Sequence, residues 1–541
     1  MNKLTLTLAL AAGLATFSAH AGEIILVNED VGTGLGLDDP RPVKPVGANP
    51  GKTLGEQRRL VYQFAAASWG SMLQSNVPVF VSATFQPLAC TPTSGTLGSA
   101  GTNFVFSDFA GAPLANTWYH SALADAISGV DLAEGEDVDI VSRFNGDIGV
   151  NPNCLTGSDW YYGLDGKTPV GSINFLNVVM HEIGHGLGFS AFMSTTSGAP
   201  FFGLPDVYMH NSFNNTLGKG FEAMTNAERQ AAVKDTGNTV WTGAAVTSAA
   251  PGFLSKGAVL LKVTAPTGVV ISGFFGTASF GAVATSANFN KAVVLGDDGV
   301  GATADACEPL INGAALAGKI AIVDRGVCGF AVKAKNVQDA GAVGVIIANN
   351  QAGGAIGLGG TDPTVTIPAI SVSQADGVII KAALPATLAI VTDLTRLQGA
   401  DSGNHAQLYA PATVAPGSTY SHFDTALTPN AVMEPFITDS LRADVNVDLT
   451  PALLRDIGWS LQSNAKIEKC DTSVKASTPT GVAVGASLAG MHAVCDATSK
   501  NHGAYTVCML DYTKSLYSAR LLTPAQFSQA FACASKSSGG K

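Results

Sequence analysis

Charged residues are scarce in this sequence. Asp, Glu, Lys and Arg make up 13% of the 541 residues, whereas hydrophobic residues make up 46%. The formal net charge is −11, and no segment is rich in Lys or Arg. Because nucleic acids and anionic membrane surfaces attract basic patches, we expect neither as a partner. Disorder of the whole chain is excluded too, since disordered chains combine low hydrophobicity with high charge.

Long apolar runs are also missing beyond the N-terminus. A membrane-spanning helix needs about 20 consecutive apolar residues, and Gly, Pro or charged residues interrupt every later candidate. The N-terminus reads MNKLTLTLALAAGLATFSAHA, with Lys3 ahead of an apolar stretch and Ala-His-Ala at 19–21. This pattern is typical of a secretory signal peptide that is removed after about Ala21. We therefore predict a signal peptide over 1–21 and a secreted chain that is not inserted into a membrane.

The sequence contains no C-x-x-C pair, which argues against a thiolate metal site or a redox motif. Its eight Cys are an even number, as is common for disulfide-bonded proteins of an oxidising compartment. They form local groups: Cys90 and Cys154; Cys307 and Cys328; and Cys470, Cys495, Cys508 and Cys533. The symmetrical spacing in the last group favours a helical hairpin with nested bonds Cys470–Cys533 and Cys495–Cys508, one of three possible pairings.

The length of the chain predicts several domains, because one hydrophobic core stops growing at about 250–300 residues. Residues 22–244 combine helix and strand patterns, and residues 396–461 return to the same texture. Between them, residues 245–395 read as strand–helix–strand units, which predicts an inserted mixed α/β domain. Residues 462–541 hold half of the Cys and predict a small helical segment. The expected fold class is therefore α+β with several domains.

Histidine is scarce as well, with nine in the chain, yet residues 181–185 read His-Glu-Ile-Gly-His. The apolar positions of the segment SINFLNVVMHEIGHGL predict an amphipathic helix that ends near Gly188. Residues four apart share one face of a helix, so His181 and His185 can bind one zinc ion. Glu182 can then act as general base and acid on a water that zinc activates. This arrangement predicts hydrolysis of peptide bonds.

The third zinc ligand is not found where the extended form of this motif has it, because position 191 is Ala. A hydrolytic zinc normally takes three protein ligands and keeps one open position. Glu222 and Glu228 could supply a carboxylate, as in gluzincins, and His210 is close in the sequence. His422 lies in STYSHFDTALTPNAVMEPFI, eleven residues before Met433 in a segment expected to turn sharply.

This combination resembles the leishmanolysin-like branch of the metzincin metallopeptidases. In that branch an insertion follows H-E-x-x-H-x-x-G-F, and the third His comes far downstream, shortly before a Met-containing turn. The matching residues are His181, Glu182, His185, Gly188, Phe189, His422 and Met433, and LTPALLRDIGW at 449–459 resembles the C-terminal helix of the branch. The resemblance implies a metzincin-like catalytic domain with a twisted sheet and a zinc-binding helix. It also implies a single catalytic zinc bound by His181, His185 and His422.

Residues 306–350 resemble a protease-associated (PA) domain. The residues that carry this resemblance are Asp324, Arg325, Gly326, Cys328, Phe330, Lys333, Gly341 and Gly344, followed by Ile367-Pro368. The resemblance implies a Cys307–Cys328 disulfide and an accessory role as a lid or substrate-binding module, without catalysis. Because the segment separates the zinc helix from His422, we expect it to flank the substrate groove and limit which proteins enter. A passive spacer is the alternative.

Two classes of function compete at this point. The first is a secreted zinc endopeptidase acting on protein or peptide substrates. The second is an exported, non-catalytic binding or adhesion protein that keeps a degenerate metallopeptidase fold and works through its PA domain. Glu182 favours the first, since a structural zinc site needs no base. The sequence is compatible with structural calcium but does not show it, and it does not determine cleavage preference or oligomeric state.

Overall fold

The computed structural model describes residues 21–133, 138–301 and 304–540. The predicted signal peptide therefore lies outside the described residues, except for Ala21. No helix in these ranges combines the length and the apolar character needed to cross a membrane. The described helices are α1 (Leu54–Met72), α2 (Ser121–Ser128), α3 (Phe175–Gly186), α4 (Asn226–Ala232), α5 (Ala244–Phe253), α6 (Gly313–Leu316), α7 (Phe330–Asp339), α8 (Gln374–Ala382), α9 (Thr450–Ile457), α10 (Val484–Thr498), α11 (His502–Ser518) and α12 (Pro524–Lys536).

The strands form several separate sheets. In the described ranges they are β1 (Ile24–Asn28), β2 (Val79–Gln86), β3 (Gly98–Thr102), β4 (Val105–Phe106), β5 (Tyr119–His120), β6 (Ile140–Asn145), β7 (Asp159–Tyr161), β8 (Ser172–Asn174), β9 (Ser212–Asn214), β10 (Lys219–Gly220), β11 (Thr239–Trp241), β12 (Lys256–Ala265), β13 (Gly276–Thr277), β14 (Asn290–Leu295), β15 (Ile320–Asp324), β16 (Gly344–Ala348), β17 (Ala369–Val372), β18 (Ala386–Leu397), β19 (Ala406–Gln407), β20 (Asn464–Ile467) and β21 (Cys470–Lys475).

The first sheet has the order β1-β2-β6-β3 and carries the helices α1 and α3. Strands β1, β2 and β6 are parallel, whereas β3 runs antiparallel to β6 and forms an edge. Trp69 of α1 donates its indole N–H to the Met180 carbonyl of α3 at 3.1 Å, which joins the two helices. The zinc helix that the sequence predicts is present as α3.

Helix α3 begins three residues later than the pattern predicts. Residues 172–174 pair with β7 as the short strand β8. The Asn174 side chain then accepts a hydrogen bond from the Asn177 N–H at 3.2 Å, so Asn174 caps the helix. Beyond the last turn, Gly188 has φ +128°, and a Cβ there would lie 2.4 Å from Ile457. The helix therefore ends where only glycine fits between α3 and α9.

The inserted α/β segment forms a seven-stranded sheet with the order β12-β18-β14-β15-β16-β17-β13. The central strands β14 to β17 are parallel and their residues alternate between two buried clusters. Ile320 and Ile322 of β15 pack into one cluster, and Ala321 and Val323 into the other. Burial on both faces explains the uninterrupted apolar strands of this segment.

The ends of the inserted sheet lie side by side. Lys256 at the start of β12 pairs with Leu397 at the end of β18, and Gln398 N–H donates to the Ser255 carbonyl at 2.9 Å. An insertion whose ends are adjacent disturbs the host fold little. The sheet starts at Lys256, whereas the sequence places the domain from 245. Helix α5 instead packs in the hydrophobic core around the first sheet, called the first core below. Its Ala245 N–H donates to Asp456 at 2.7 Å.

The C-terminal segment is a two-stranded sheet followed by α10, α11 and α12. The disulfides Cys470–Cys533 and Cys495–Cys508 are both formed, which confirms the nested pairing. Cys90–Cys154 and Cys307–Cys328 complete a set of four, and the described residues contain no free cysteine. Helix α10 packs closely on α1, since a Cβ on Gly490 would lie 2.8 Å from the Phe64 carbonyl oxygen. The segment thus shares the first core.

Candidate active site

Three imidazoles converge in a buried cluster beside the first sheet. His181 and His185 project from α3, and His422 comes from the loop after β19. Their Nε2 atoms lie 3.0 Å apart for His181 and His185, and 3.2 Å apart for each pair that includes His422. Within the described ranges, this is one of two groups of side chains close enough to share a metal ion. The structure therefore brings together the three predicted ligands.

Each imidazole is oriented by a hydrogen bond from its other nitrogen. Nδ1 of His181 donates to the Val432 carbonyl at 2.6 Å, and Nδ1 of His185 donates to the Phe189 carbonyl at 2.8 Å. Nδ1 of His422 donates to the Ser418 carbonyl at 2.7 Å. Carbonyl oxygens only accept, so the proton of each ring is on Nδ1 and the lone pair is on Nε2. Three lone pairs facing one another at this distance repel unless a cation lies between them.

The geometry of the cluster fits zinc. Zinc binds imidazole nitrogen at about 2.0–2.1 Å, so three ligands of a tetrahedral ion lie roughly 3.3 Å apart. Burial lowers the pKa of His181 to about 4 and that of His185 to about 3, and it holds the pKa of His422 well below the usual range. All three rings are therefore neutral near pH 7, the form that binds a metal.

Glu182 lies between the imidazole cluster and the edge strand β3. A Cβ on Gly98 would stand 2.8 Å from its Oε1, so glycine is needed for this close approach. The Ala100 N–H of β3 donates to the carboxyl group, but burial dominates and raises the pKa of Glu182 to about 8. A cation held by the imidazoles would oppose this rise. The carboxyl group thus lies beside the cluster, where a general base can act.

Met433 lies beneath the helical turn that carries the two histidines. It is fully buried, and its Sδ is 2.8 Å from where a Cβ on Gly184 would be. The Met433 carbonyl accepts a hydrogen bond from the Phe423 N–H at 2.9 Å, which joins the Met segment to the residue after His422. The predicted turn residue therefore packs under the cluster without joining it.

Sequence reasoning missed the role of Asp448. Its buried carboxylate accepts hydrogen bonds from the Val432 N–H at 2.5 Å and from the Thr450 N–H at 3.2 Å. Because the Val432 carbonyl holds His181, Asp448 positions that imidazole through one intervening residue. An Asp two residues before a Thr-Pro helix start is visible in the sequence, but the long-range bond to Val432 is not.

Position 191 adjoins the loop that carries the late histidine. The Ala191 N–H donates to the hydroxyl of Ser421 at 3.2 Å, and Ser421 directly precedes His422. The His422 carbonyl in turn accepts the Tyr409 N–H at 2.9 Å, which fixes this loop beside the end of β19. The third imidazole thus arrives from downstream, next to the position where the extended motif has its own histidine.

The structure does not bring the rival ligands to the cluster. Glu228 bonds Lys219 at 2.5 Å and caps α4 through Thr225, and Glu222 is exposed. Nε2 of His210 contacts the hydroxyl of Thr117 at 3.1 Å. None of these three groups belongs to the metal-competent clusters of the described chain.

The cluster opens into a cleft of about 900 Å³. Its walls include residues 89–100, which the Cys90–Cys154 bond braces, and residues 434–439 after the Met turn. A second cavity of about 360 Å³ lies farther along β3. No residue of 256–397 lines either cavity, so the expectation that the inserted domain flanks the groove is not met here. That sheet instead contacts the turn at 234–237, where Gly354 N–H donates to the Lys234 carbonyl at 3.2 Å.

Residues 289–380 match the family profile of the PA domain, which confirms that prediction. Two curated proteins are similar over short stretches: an ER degradation-enhancing alpha-mannosidase-like protein 3 from Xenopus laevis, 40% identical over 83 residues, and the minor extracellular protease Vpr from Bacillus subtilis, 36% identical over 97 residues. These stretches cover 14% and 18% of this chain, and only 9% and 11% of the length of the two relatives.

A solved structure of a zinc aminopeptidase from Bacillus subtilis is also similar to part of the chain. The sequences are 19% identical, the TM-score is 0.19, and the match covers 27% of this chain and 36% of the other. A TM-score this low does not establish a shared fold. The comparisons therefore identify the PA domain, while the zinc helix and its partners depend on the geometry described above.

The contact between Gly184 and Met433 allows a test of how Met433 packs under the histidine cluster. Gly184→Ala would gain about 1 kcal/mol in helix propensity at an ordinary position. Here the new Cβ meets the Met433 Sδ at 2.8 Å, and overpacking costs about 1–3 kcal/mol, so we expect a net loss of stability. Urea unfolding of Gly184→Ala, Met433→Ala and the double variant measures this coupling. An equal effect of Gly184→Ala in both backgrounds would contradict the contact.

Proposed function

We propose that this protein is a secreted zinc-dependent endopeptidase with a metzincin-like catalytic domain of the leishmanolysin-like kind. His181, His185 and His422 bind a single zinc ion, and Glu182 is the general base and acid. The observation that carries the proposal is the convergence of three neutral Nε2 atoms beside a buried carboxyl group at an open cleft. A structural zinc site is normally closed by four protein ligands, whereas this one keeps an open side.

Each part of the site has a distinct role in the proposed hydrolysis. Zinc, when bound, supplies a Lewis acid that polarises the scissile carbonyl and lowers the pKa of water from about 15.7 to about 7. Glu182 takes the proton from the attacking water and returns it to the leaving amine. The hydrogen bonds of Val432, Phe189 and Ser418 keep the imidazole nitrogens aimed at one point. The buried setting of Glu182 limits competing proton exchange with solvent.

The course of β3 supports an endopeptidase. Its Gly98–Ala100 part lies beside Glu182, and its Gly101–Thr102 part continues into the second cavity. As an edge strand, β3 can pair with an extended peptide through backbone hydrogen bonds. Substrate residues on both sides of the scissile bond then have room. An aminopeptidase instead needs the chain terminus at the catalytic centre.

The composition of the cluster supports one catalytic ion. In the described part of the chain, the three histidines form a group with no fourth His, Cys, Asp or Glu ligand. Sites with two metals hold ions about 3.5–4 Å apart, which requires further ligands. The four disulfides support export to an oxidising compartment, and the PA domain serves as an accessory module outside the cleft walls.

Removal of the base should separate catalysis from metal binding. Glu182→Gln keeps the shape of the side chain but cannot accept the proton, so we expect zinc content to stay and casein cleavage to fall by about 10²–10⁴-fold. Glu222→Gln, which changes the exposed rival carboxylate, should alter neither quantity. Cleavage that survives Glu182→Gln would contradict the general-base role of Glu182. A wild type that neither holds zinc nor cleaves casein would favour the non-catalytic binding protein.

Removal of the late ligand should release the metal. His422→Ala leaves two imidazoles, and we expect zinc affinity to fall by more than about 100-fold. Loss of a group that only hydrogen-bonds to a ligand already lowers metal affinity by about 10–100-fold. Zinc per chain after dialysis, measured by atomic emission, tests this. His210→Ala is the matched control and should keep the zinc. A variant that lacks His422 and still holds one zinc would contradict the ligand set.

A further inference from the structure

A group of aromatic side chains lies at and around the second cavity, outside the catalytic cluster. We define the aromatic shelf as Trp118, Phe192, Phe201 and Phe202. Phe202 is 83% exposed and Phe201 is 40% exposed, although apolar side chains of this size are normally buried. Their rings are 4.5 Å apart, and Phe201 also contacts Trp118 and Phe192 at 6.0 and 6.4 Å between ring centroids. A continuous apolar surface is thus presented to solvent.

The loop that carries the shelf is held in a strained but fixed conformation. Phe202 has φ +45° and ψ +29°, a left-handed conformation that bulky residues rarely adopt. The Trp118 indole N–H donates to the Phe201 carbonyl at 2.9 Å, and the Leu204 N–H donates to the same carbonyl at 3.1 Å. Strain that the surroundings maintain is a feature of ligand-binding sites. The Phe201 end of this loop is therefore fixed by the fold, and Phe202 follows it with its side chain exposed.

Asp206 fixes the position of Phe192, the remaining member of the shelf. Its carboxylate accepts the Phe192 N–H at 2.7 Å and the Met209 N–H at 2.8 Å, and the residue is 1% exposed. Trp118 and Val207 are joined by a backbone hydrogen bond of 3.0 Å next to it. The four aromatic residues are thus fixed relative to one another before any ligand binds, which reduces the entropic cost of binding.

The cavity beside the shelf and the catalytic cleft are lined by consecutive parts of β3. Phe192 and Phe201 line the 360 Å³ cavity together with Gly101, Thr102 and Asn103. Ala100, one residue earlier on the chain, donates its N–H to Glu182. The hydroxyl of Ser190, which also lines this cavity, lies 3.5 Å from the carbonyl oxygen of the ligand His185. The cavity therefore starts about one substrate residue away from the catalytic carboxyl group.

We propose that the aromatic shelf is a specificity subsite that binds a bulky apolar side chain of the substrate, on the N-terminal side of the scissile bond. The proposal rests on the proposed function. In this proposal the peptide pairs antiparallel with the free edge of β3 and runs opposite to it, so peptide residues beside Gly101–Asn103 precede those beside Gly98. The apolar faces of Phe192, Phe201 and Phe202 match an aromatic or branched aliphatic side chain.

Two peptides that differ at one position test this subsite. They share every other residue and carry Phe or Ala at one position on the N-terminal side of the scissile bond. An apolar pocket discriminates such side chains by about 10–200-fold, so the wild type should cleave the Phe peptide with a kcat/KM at least 10-fold higher. Phe201→Ala and Phe202→Ala should lower kcat/KM for the Phe peptide about 10-fold and leave that for the Ala peptide within about two-fold. Equal losses for both peptides would overturn the proposal.

Phe202→Gly separates binding from folding. Glycine adopts the left-handed conformation without strain, so this variant should melt at a higher temperature than the wild type while losing the preference for Phe. Leu394→Ala removes another exposed apolar side chain, 71% exposed on β18 of the inserted sheet, and should change neither preference nor melting temperature. A Phe202→Gly variant that keeps the full preference would contradict the subsite.

A binding readout keeps the subsite distinct from the proposed catalysis. The dissociation constants of the two fluorescent peptides are measured by anisotropy on Glu182→Gln, with and without Phe202→Ala. The shelf is supported if the Phe peptide binds more tightly than the Ala peptide and Phe202→Ala abolishes this difference. This holds even if the wild type cleaves neither peptide. That lack of cleavage would count against the proposed function alone. Equal affinity for both peptides would overturn the shelf.

Discussion

The site depends on three hydrogen bonds from imidazole Nδ1 atoms to backbone carbonyls. Each bond sets the tautomer of its ring and turns the lone pair of Nε2 toward a common point. The acceptors belong to separate segments: Val432 in the Met turn, Phe189 after the zinc helix and Ser418 before His422. Because the three carbonyls are placed by the fold, the metal site exists only when all these segments are packed together.

The insertion of a whole sheet between the ligands does not disturb this arrangement. Residues 256 and 397 are paired neighbours, so the chain leaves and re-enters the first core at almost the same place. His185 and His422 are 237 residues apart in sequence, yet their Nε2 atoms are 3.2 Å apart. The Ala191–Ser421 contact brings the downstream loop beside the end of the zinc helix. A late third ligand is therefore compatible with the same local geometry as an early one.

The parts that could be predicted are those with a local signal. The i, i+4 spacing of His181 and His185 needs only helical geometry, and the motif residues of the PA domain are closely spaced between Asp324 and Gly344. His422 was placed by resemblance, because nothing in its own spacing connects it to α3. The positioning role of Asp448 and the aromatic shelf depend on contacts between distant segments, which no single-sequence pattern encodes. The sequence pattern places 245–255 in the inserted domain, whereas the apolar face of α5 packs on the first core.

The central claim is that one zinc ion binds three histidines and no carboxylate of the chain. Zinc K-edge X-ray absorption of the purified protein measures this directly. The account predicts a first shell of three imidazole nitrogens at about 2.0–2.1 Å from zinc and one further light atom. A zinc–zinc distance of about 3.5–4 Å, or fewer than three imidazoles with a carboxylate in their place, would contradict it.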